Sequence, residues 1–284
     1  MPPILSHFQA RALLQACEAA AASAAAEAVI SLDLGLTETA VTLTPDHILL
    51  PGGQTLTWGH IAEIAANEMA CYRIENGGIA KIQIYSEAFN RFYSLMPTES
   101  APTLLISGIP MHRIKDTDPR RDTLSKIRAL APITGELLDT TMGLGYTTIE
   151  AAKTAVHVTT IELDPLVVEI CRHNPWSRGL FGNPKITRLV GDAYDEVEQL
   201  ADGRFSRILH DPPMFSLAGD LYAVDFYHQL YRILTPRGRL FHYIGDPRSK
   251  SGAGVTRGVV RRLQEAGFSR IKPRPQAFGV VAYK

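Results

Sequence analysis

The sequence predicts an α/β protein, in which a parallel sheet covered by helices on both faces follows a small α+β domain. Beyond Ile109, short apolar runs alternate with helical stretches, a rhythm typical of successive βαβ units. Before that point, short alternating segments and tight-turn signals predominate. The 284 residues are enough for two domains with separate cores. We place the boundary near residue 108, which gives domains of residues 1–108 and 109–284.

The amino-terminal region reads as one long helix followed by short antiparallel strands. Residues 5–28 are rich in Ala, Leu, Gln and Glu, which predicts the helix. A Pro-Gly-Gly turn at residues 51–53 and an Asn-Gly hairpin signal at residues 76–77 separate alternating segments, and a short helix is expected at about residues 58–67. This domain could act as a lid or as a dimerisation module, so a homodimer is left open.

Composition narrows the class of protein. The cysteines, Cys17, Cys71 and Cys171, are odd in number and form no CxxC pair, so neither a disulfide framework nor a metal site is suggested. No stretch approaches the roughly 20 apolar residues of a membrane span, and no signal-peptide pattern begins the chain. We therefore expect a cytoplasmic protein without a membrane partner.

The zero net charge hides an uneven distribution. Residues 1–108 hold 4 basic and 10 acidic side chains, a net charge of −6, whereas residues 237–284 hold 11 and 2, a net charge of +9. The basic carboxyl end could contact phosphates, or it could be a solvated charged face. Nucleic acid is therefore not excluded by the overall balance.

The clearest functional motif is LLDTTMGLGYTTIEAA, a strand ending at Asp139, a loop and a helix. Gly143 and Gly145 allow positive φ and a close approach of a ligand to the backbone, and the amides at the helix start can receive a polar group. The alternative is that the two glycines only shape a turn.

Three further strand ends carry site-like residues in register. Glu162 lies 23 residues after Asp139 and could bind ribose hydroxyls, while Asp192 and Ala193 follow the next strand, where an acid could accept a hydrogen bond from an adenine amine. Asp211-Pro212-Pro213 follows the fourth strand, at the edge where open α/β sheets hold ligands. Four such features in succession favour a nucleoside cofactor.

This ordered set resembles the class I S-adenosylmethionine-dependent methyltransferases over about residues 119–284. The resemblance implies a Rossmann-like domain with a seven-stranded sheet whose last strand is antiparallel, and S-adenosyl-L-methionine as cofactor. It also implies that the loop from Asp139 through Thr141 to Gly145 wraps the methionine part, that Glu162 binds the ribose and that Asp192 lies beside the adenine. The chain departs from the family at Thr141, where a glycine is usual.

A narrower resemblance involves a group of predicted methyltransferases found largely in archaea. The segments that carry it include SLDLGL, SGIPMHRIK, HDPPMFSLAGDLY and LFHYIGDP. It supports the fold and the cofactor but names no acceptor. Binding of NAD through the same fold competes with this interpretation, although GLGYTT lacks the final small residue of a dinucleotide fingerprint.

The DPP motif indicates the chemistry. In methyltransferases, Asp/Asn-Pro-Pro-aromatic serves amino nitrogens on planar systems, and catalysis there consists largely of positioning. On this basis Asp211 orients the acceptor, Pro212 and Pro213 fix the backbone and Phe215 offers a stacking face. Met214 occupies the usual aromatic position, and packing of Met214 and Phe215 under the next helix is the alternative.

Several other polar residues are weaker candidates. A neutral histidine could take the acceptor proton, but a structural role is favoured for each histidine, and the tyrosines could line a pocket. Two acids after the DPP motif are interpreted as helix-start charges. These candidates are His112, His210, His242, Tyr146, Tyr243, Asp220 and Asp225.

The sequence thus predicts an enzyme, an S-adenosylmethionine-dependent methyltransferase that modifies a nitrogen of a planar acceptor such as an RNA base. A small-molecule methyltransferase is the alternative, and so is aminopropyl transfer to a polyamine on the same fold. A cofactor-binding regulator is disfavoured, because the DPP motif would then have no task.

Overall fold

The computed structural model describes residues 2–19, 26–214, 218–246 and 250–284, which divide into two compact units. The first unit comprises Met1–Arg120 and Leu166–Arg178, and the second comprises Arg121–Pro165 and Gly179–Lys284. Residue 108, where the sequence places a domain boundary, falls in the turn between Ile106 and Ile109. Division of the chain there stays a prediction.

The elements before residue 111 form three antiparallel sheets, with strand orders β1-β6-β7, β2-β3-β4-β5 and β11-β10-β9-β8 among the described residues. Their bounds are β1 Ile4–Leu5, α1 His7–Ala19, β2 Ala26–Ile30, β3 Thr39–Leu43, β4 His47–Leu49, β5 Thr55–Thr57, α2 Trp58–Ala65, β6 Tyr72–Glu75, β7 Gly78–Lys81, β8 Gln83–Ser86, β9 Arg91–Met96, β10 Thr103–Ile106 and β11 Ile109–Pro110.

The long first helix predicted over residues 5–28 is wrong in its second half. Helix α1 ends at Ala19 in the described residues, and Ala26–Ile30 is strand β2, paired antiparallel with β3 in the register Ala28↔Val41. Residues 20–25 lie outside the described residues. Alanine and glutamate favour a helix, but the ladder with β3 and the burial of Ile30 decide the outcome.

Both turn signals of this region are confirmed. Gly52 and Gly53 adopt φ of +82° and +80° between β4 and β5. Asn76 and Gly77 adopt φ of +53° and +74° between β6 and β7, the left-handed pair that a tight hairpin needs. The short helix is confirmed as α2, whose N-cap Thr57 accepts a hydrogen bond from the backbone N–H of His60.

The elements after residue 118 alternate strands and helices. Their bounds are α3 Pro119–Leu130, β12 Glu136–Asp139, α4 Tyr146–Ala152, β13 His157–Glu162, α5 Pro165–His173, β14 Ile186–Val190, α6 Ala193–Glu198, β15 Phe205–His210, α7 Val224–Ile233, β16 Leu234–Tyr243, α8 Lys250–Glu265, β17 Ser269–Arg274 and β18 Gly279–Tyr283. Within the described ranges, no helix is both long enough and apolar enough to cross a bilayer.

The predicted seven-stranded sheet is confirmed in the described part of the second unit. Its strand order is β14-β13-β12-β15-β16-β18-β17. Strands β12 to β16 pair parallel to one another, and β18 runs antiparallel to both β16 and β17. The last strand is therefore the antiparallel one, and the expected carboxyl-terminal hairpin is present. The order reverses beside β12, so that β13 and β15 flank the first strand of the sheet.

Helices cover both faces of this sheet, because successive strand residues point to opposite sides. Leu138 and Ile208 belong to the cluster that contains the buried residues of α7 and α8, whereas Leu137 and Leu209 belong to the cluster that contains Leu130 and the α4 alanines. All of these strand residues are fully buried. The apolar runs read from the sequence are thus central strands with two covered faces.

The glycines of the loop between β12 and α4 differ in what they require. Gly143 and Gly145 both have positive φ, +52° and +73°. A Cβ on Gly145 would lie 2.3 Å from the side chain of Leu180, whereas a Cβ on Gly143 would meet nothing within 4 Å. Gly145 therefore meets two constraints, a left-handed backbone and a close approach, and Gly143 meets one.

We expect Gly145→Ala to lower the free energy of unfolding by about 2–4 kcal/mol, since left-handed strain and overpacking add. Gly143→Ala is the matched control and should cost about 1 kcal/mol, because only the backbone strain applies. Urea unfolding followed by circular dichroism measures both. Equal costs for the two variants would contradict the close approach of Leu180.

Candidate active site

Four strand ends meet at one edge of the seven-stranded sheet. Strands β14, β13, β12 and β15 are neighbours in that order and run parallel, so that their carboxyl ends share an edge. The residues that the sequence singled out follow these ends directly. Hydrogen bonds then link the segments in pairs, which makes the edge a connected site.

Thr141 connects the first strand end with the fourth. Its hydroxyl donates to the main-chain carbonyl of Asp211 at 2.8 Å, and its backbone N–H lies 3.4 Å from Oδ1 of Asp139. A glycine, the residue that the methyltransferase pattern would place here, has no side chain for the first of these bonds. The departure from the family at this position therefore ties the glycine loop to the DPP segment.

Gly143 connects the first strand end with the second. Its backbone N–H donates to Oε2 of Glu162 at 2.9 Å, and the N–H of Asp164 lies 3.2 Å from Oε1. Burial raises the pKa of Glu162 to about 7, and these two amides limit the rise. The two amides hold the carboxylate, which can accept further hydrogen bonds when it is ionised.

Asp139 lies beneath the loop and is fully buried. Its Oδ2 accepts hydrogen bonds from the hydroxyls of Thr147 and Thr148, at 2.7 and 2.8 Å, in the first turn of α4. Burial raises the pKa of Asp139 to about 7, and the hydroxyl donors limit the rise. Asp139 thus anchors the start of α4.

The third strand end presents Asp192 at the surface. Its carboxylate accepts the N–H of Tyr194 at 2.9 Å and so caps the amino end of α6, while Ala193 is buried. The preceding Gly191 donates its N–H to the carbonyl of Glu162 at 2.9 Å. Asp192 is therefore fixed beside the Glu162 strand end with its carboxylate exposed.

The fourth strand end carries the DPP segment. The hydroxyl of Tyr222 donates to the carbonyl of Pro213 at 3.0 Å, which ties the segment to the following 3-10 turn. Met214 is 52 % exposed, so the alternative of packing under the next helix is wrong for this residue. Phe215, the predicted stacking residue, lies outside the described residues, and its role stays a prediction.

Sequence reasoning missed a lysine of α3 that contacts this strand end, and the acid with which that lysine pairs. The ammonium of Lys126 lies 2.5 Å from Oδ2 of Asp211 and 2.8 Å from Oδ2 of Asp122. Lys126 and Asp122 are almost completely buried, and Leu130 continues the same helical stripe. An Asp-Lys pair at i, i+4 on the stripe of a buried leucine was the available signal.

His210 is a structural residue, as the sequence favoured. Its Nε2 donates to the carbonyl of Leu221 at 2.9 Å, because a carbonyl only accepts, and its Nδ1 then accepts the hydroxyl of Thr140 at 2.7 Å. Burial lowers the pKa of His210 to about 3. The ring is neutral and both nitrogens are engaged.

His242 follows the same rule. Its Nδ1 donates to the carbonyl of Tyr243 at 2.6 Å and its Nε2 accepts the hydroxyl of Tyr227 at 2.7 Å. Burial, with the neighbouring His210 ring, lowers the pKa of His242 well below its ordinary value. Neither histidine is placed to accept a proton from a substrate.

The remaining candidates are less central. His112 belongs to the first unit, where its ring and its backbone N–H both bond to the hydroxyl of Thr103. Tyr146 is mostly buried in the first turn of α4. Asp220 and Asp225 are exposed at the starts of a 3-10 turn and of α7, which agrees with their interpretation as helix-start charges.

Comparison with known proteins supplies a close relative. The chain is 43 % identical over 265 residues to the uncharacterized protein MJ1233 of Methanocaldococcus jannaschii, which covers 91 % of this chain and 90 % of that protein. The chain belongs to the family of MJ1233. No protein-family model matches it.

More distant matches are either local in sequence or concern the fold. This member of the MJ1233 family is 33 % identical over 111 residues to a polyamine aminopropyltransferase of Sulfolobus acidocaldarius, 37 % of either chain. The spermidine synthase structure from Thermotoga maritima matches with a TM-score of 0.56 at 17 % identity, over 71 % of this chain and 70 % of that one. The fold is thus shared with spermidine synthases.

The buried carboxyl of Asp139 should make stability depend on pH. Because its pKa in the folded protein, about 7, lies above the unfolded value of about 4, folding takes up a proton between these pH values and stability falls as the pH rises. We expect Asp139→Asn to reduce the fall between pH 5 and pH 7 by about 2 kcal/mol. Urea unfolding at several pH values tests this, and an unchanged pH slope in the variant would contradict it.

Proposed function

We propose that the protein is an S-adenosylmethionine-dependent methyltransferase that acts on a nitrogen of a planar acceptor. The observation that carries the proposal is the 2.8 Å hydrogen bond from Thr141 to the carbonyl of Asp211. It joins the loop that would surround the methyl donor to the segment that would hold the acceptor. Holding two reactants side by side is the main catalytic contribution that such a transfer needs.

The residues present fit the cofactor. The open space at Gly143 lets a ligand approach the loop backbone, and Glu162 presents a half-buried carboxylate to which ribose hydroxyls could donate. Asp192 offers an exposed carboxylate at the neighbouring strand end, where an adenine amine could donate. S-adenosylmethionine would supply a methyl group on a positively charged sulfur.

The DPP segment would orient the acceptor. Asp211 is held at its carbonyl by Thr141 and at its carboxylate by Lys126, so that both acceptor oxygens have fixed positions. Asp211 would hold the acceptor nitrogen toward the bound cofactor, which would supply the methyl group in exchange for the nitrogen proton, and that proton would leave to water. No general base is required of the buried, neutral histidines His210 and His242.

An RNA base is the acceptor that we favour among planar amines. Arg270 and Lys272 are exposed on β17, the edge strand of the sheet, and belong to the basic carboxyl end of the chain. Exposed cations of this kind bind phosphates with an affinity that depends on salt. A small planar metabolite would need no such surface and is the alternative acceptor.

Aminopropyl transfer is the second candidate function. The observation that favours it is the local similarity to the Sulfolobus acidocaldarius polyamine aminopropyltransferase, 33 % over 111 residues. Such a reaction would use the same fold with a different group on sulfur and a cationic acceptor. The pairing of Asp211 with Lys126 speaks against a cationic acceptor.

Cofactor binding should depend on pH through Glu162. Ribose hydroxyls donate to the ionised carboxylate, whose pKa is about 7, so the affinity for S-adenosylhomocysteine should fall about tenfold as the pH is lowered from 8 to 6. Calorimetry measures it. Glu162→Gln should bind weakly with little pH dependence, whereas Asp139→Asn, which removes the buried acid beneath the loop, should keep the dependence. A pH-dependent Glu162→Gln variant would refute the ribose contact.

Transfer itself is tested with methyl-labelled S-adenosylmethionine and separated RNA, protein and metabolite fractions. We expect label in RNA, and we expect Asp211→Asn to lower the rate about 100-fold while it leaves the affinity for S-adenosylhomocysteine within about twofold. Label in the metabolite fraction alone would show that the acceptor is a small molecule and not RNA. A fully active Asp211→Asn variant would show that Asp211 takes no part in the mechanism. Decarboxylated S-adenosylmethionine with spermidine is the parallel assay for aminopropyl transfer.

A further inference from the structure

A buried lysine contacts the DPP segment, which would hold the acceptor. Lys126 on α3 lies between two carboxylates, with Nζ 2.8 Å from Asp122 and 2.5 Å from Asp211. The exposed fractions of the three side chains are 3 % for Lys126, 0 % for Asp122 and 21 % for Asp211. Of the three, only the Asp211 side chain reaches a surface that an acceptor could contact.

The position of the ammonium is strongly constrained. Nζ of Lys126 lies 4.7 Å from the centre of the Tyr243 ring, which gives the cation an aromatic face as well as two acids. Burial alone would lower the pKa of Lys126, but Asp211 and Asp122 outweigh it and hold the pKa above its ordinary value. The Lys126 side chain therefore stays positively charged in contact with the Asp211 carboxylate.

The charges of this cluster determine which acceptor it suits. The ammonium touches Asp211, the one carboxylate of the cluster that is partly exposed, and offsets its charge there. An incoming ammonium group would have to approach Asp211 beside an existing cation. Like charges placed together in a poorly solvated site oppose each other strongly, whereas an uncharged amine needs only a hydrogen-bond acceptor.

We propose that Lys126 is a positioning and specificity-determining residue that orients the Asp211 carboxylate and restricts the acceptor to an uncharged amine. The proposal rests on the proposed function, because it treats Asp211 as the acceptor contact. It narrows the substrate class to aromatic or heteroaromatic amines and excludes polyamines. Lys126 acts through Asp211 and does not touch the acceptor.

The test uses spermidine as a cationic probe on the protein saturated with S-adenosylhomocysteine. Calorimetry should show weak binding to the unchanged protein and binding at least tenfold tighter to Lys126→Met, in which the cation is gone. Lys126→Arg keeps the charge and should behave like the unchanged protein. Lys153→Met is the matched control, since Lys153 is exposed and pairs only with Glu150 among the ion pairs of the described residues. It should also leave spermidine binding unchanged.

A double variant keeps the test decisive if Lys126→Met fails to fold. Lys126→Met leaves Asp122 buried without the lysine, so Asp122→Asn/Lys126→Met removes both inner charges and should fold while it still gains spermidine affinity. Asp122→Asn alone keeps the cation and should show no gain. Unchanged affinity for S-adenosylhomocysteine verifies the fold of every variant.

Two results would overturn the proposal. One is spermidine binding to the unchanged protein as tight as to Lys126→Met, and the other is no gain in the double variant. The binding test needs no turnover, so it is distinguishable from the labelling test of the proposed function. If methyl transfer fails while the spermidine series behaves as expected, only the methyl-transfer proposal is refuted. If methyl transfer occurs and the spermidine series fails, only the role of Lys126 is refuted.

Discussion

Parallel pairing of β12 to β16 is the constraint on which the candidate site depends. Each parallel strand must be followed by a crossover before the chain can pair again, and every strand then ends at the same edge. This geometry brings the loop after Asp139, the acid Glu162, the cap Asp192 and the segment at Asp211 to one edge, although 72 residues separate the first from the last. The side-chain contacts among them refine an arrangement that the backbone ladder has already imposed.

Buried charge at this edge works against stability. Asp122 and Lys126 are nearly or fully buried, and removing such ions from water costs several kcal/mol each before any pairing. At the fully buried Asp139 the same cost is expressed as a raised pKa. The lysine recovers part of this cost through its two carboxylates, and Asp139 recovers part through two threonine hydroxyls. A well-packed apolar replacement would serve the fold as well or better, so these groups contribute more to the site than to the stability of the core.

The fold and the strand-end residues could be predicted because they depend on local signals. Apolar runs, glycines and acids at strand ends are visible one segment at a time, and the Asn76-Gly77 turn is specified by two residues. The strand Ala26–Ile30 could not be predicted in this way, because its helix-forming residues adopt the strand only through pairing with β3. Lys126 was missed for a related reason: its partner Asp211 lies 85 residues away, and a lysine in a helix ordinarily faces solvent. The role of Thr141 likewise depends on a distant partner, because its hydroxyl donates to Asp211, 70 residues further along the chain.

The position of β17 at the edge of the sheet explains part of the basic carboxyl end without any ligand. A strand at the border of a sheet leaves main-chain donors and acceptors unpaired on one side, which invites pairing with another chain. Arg270 and Lys272 place charge along β17, and Pro273 removes a donor from it. Charged side chains and proline are the features that block such pairing in natural sheets. The same residues that raise the question of nucleic acid also protect the sheet from growing into an aggregate.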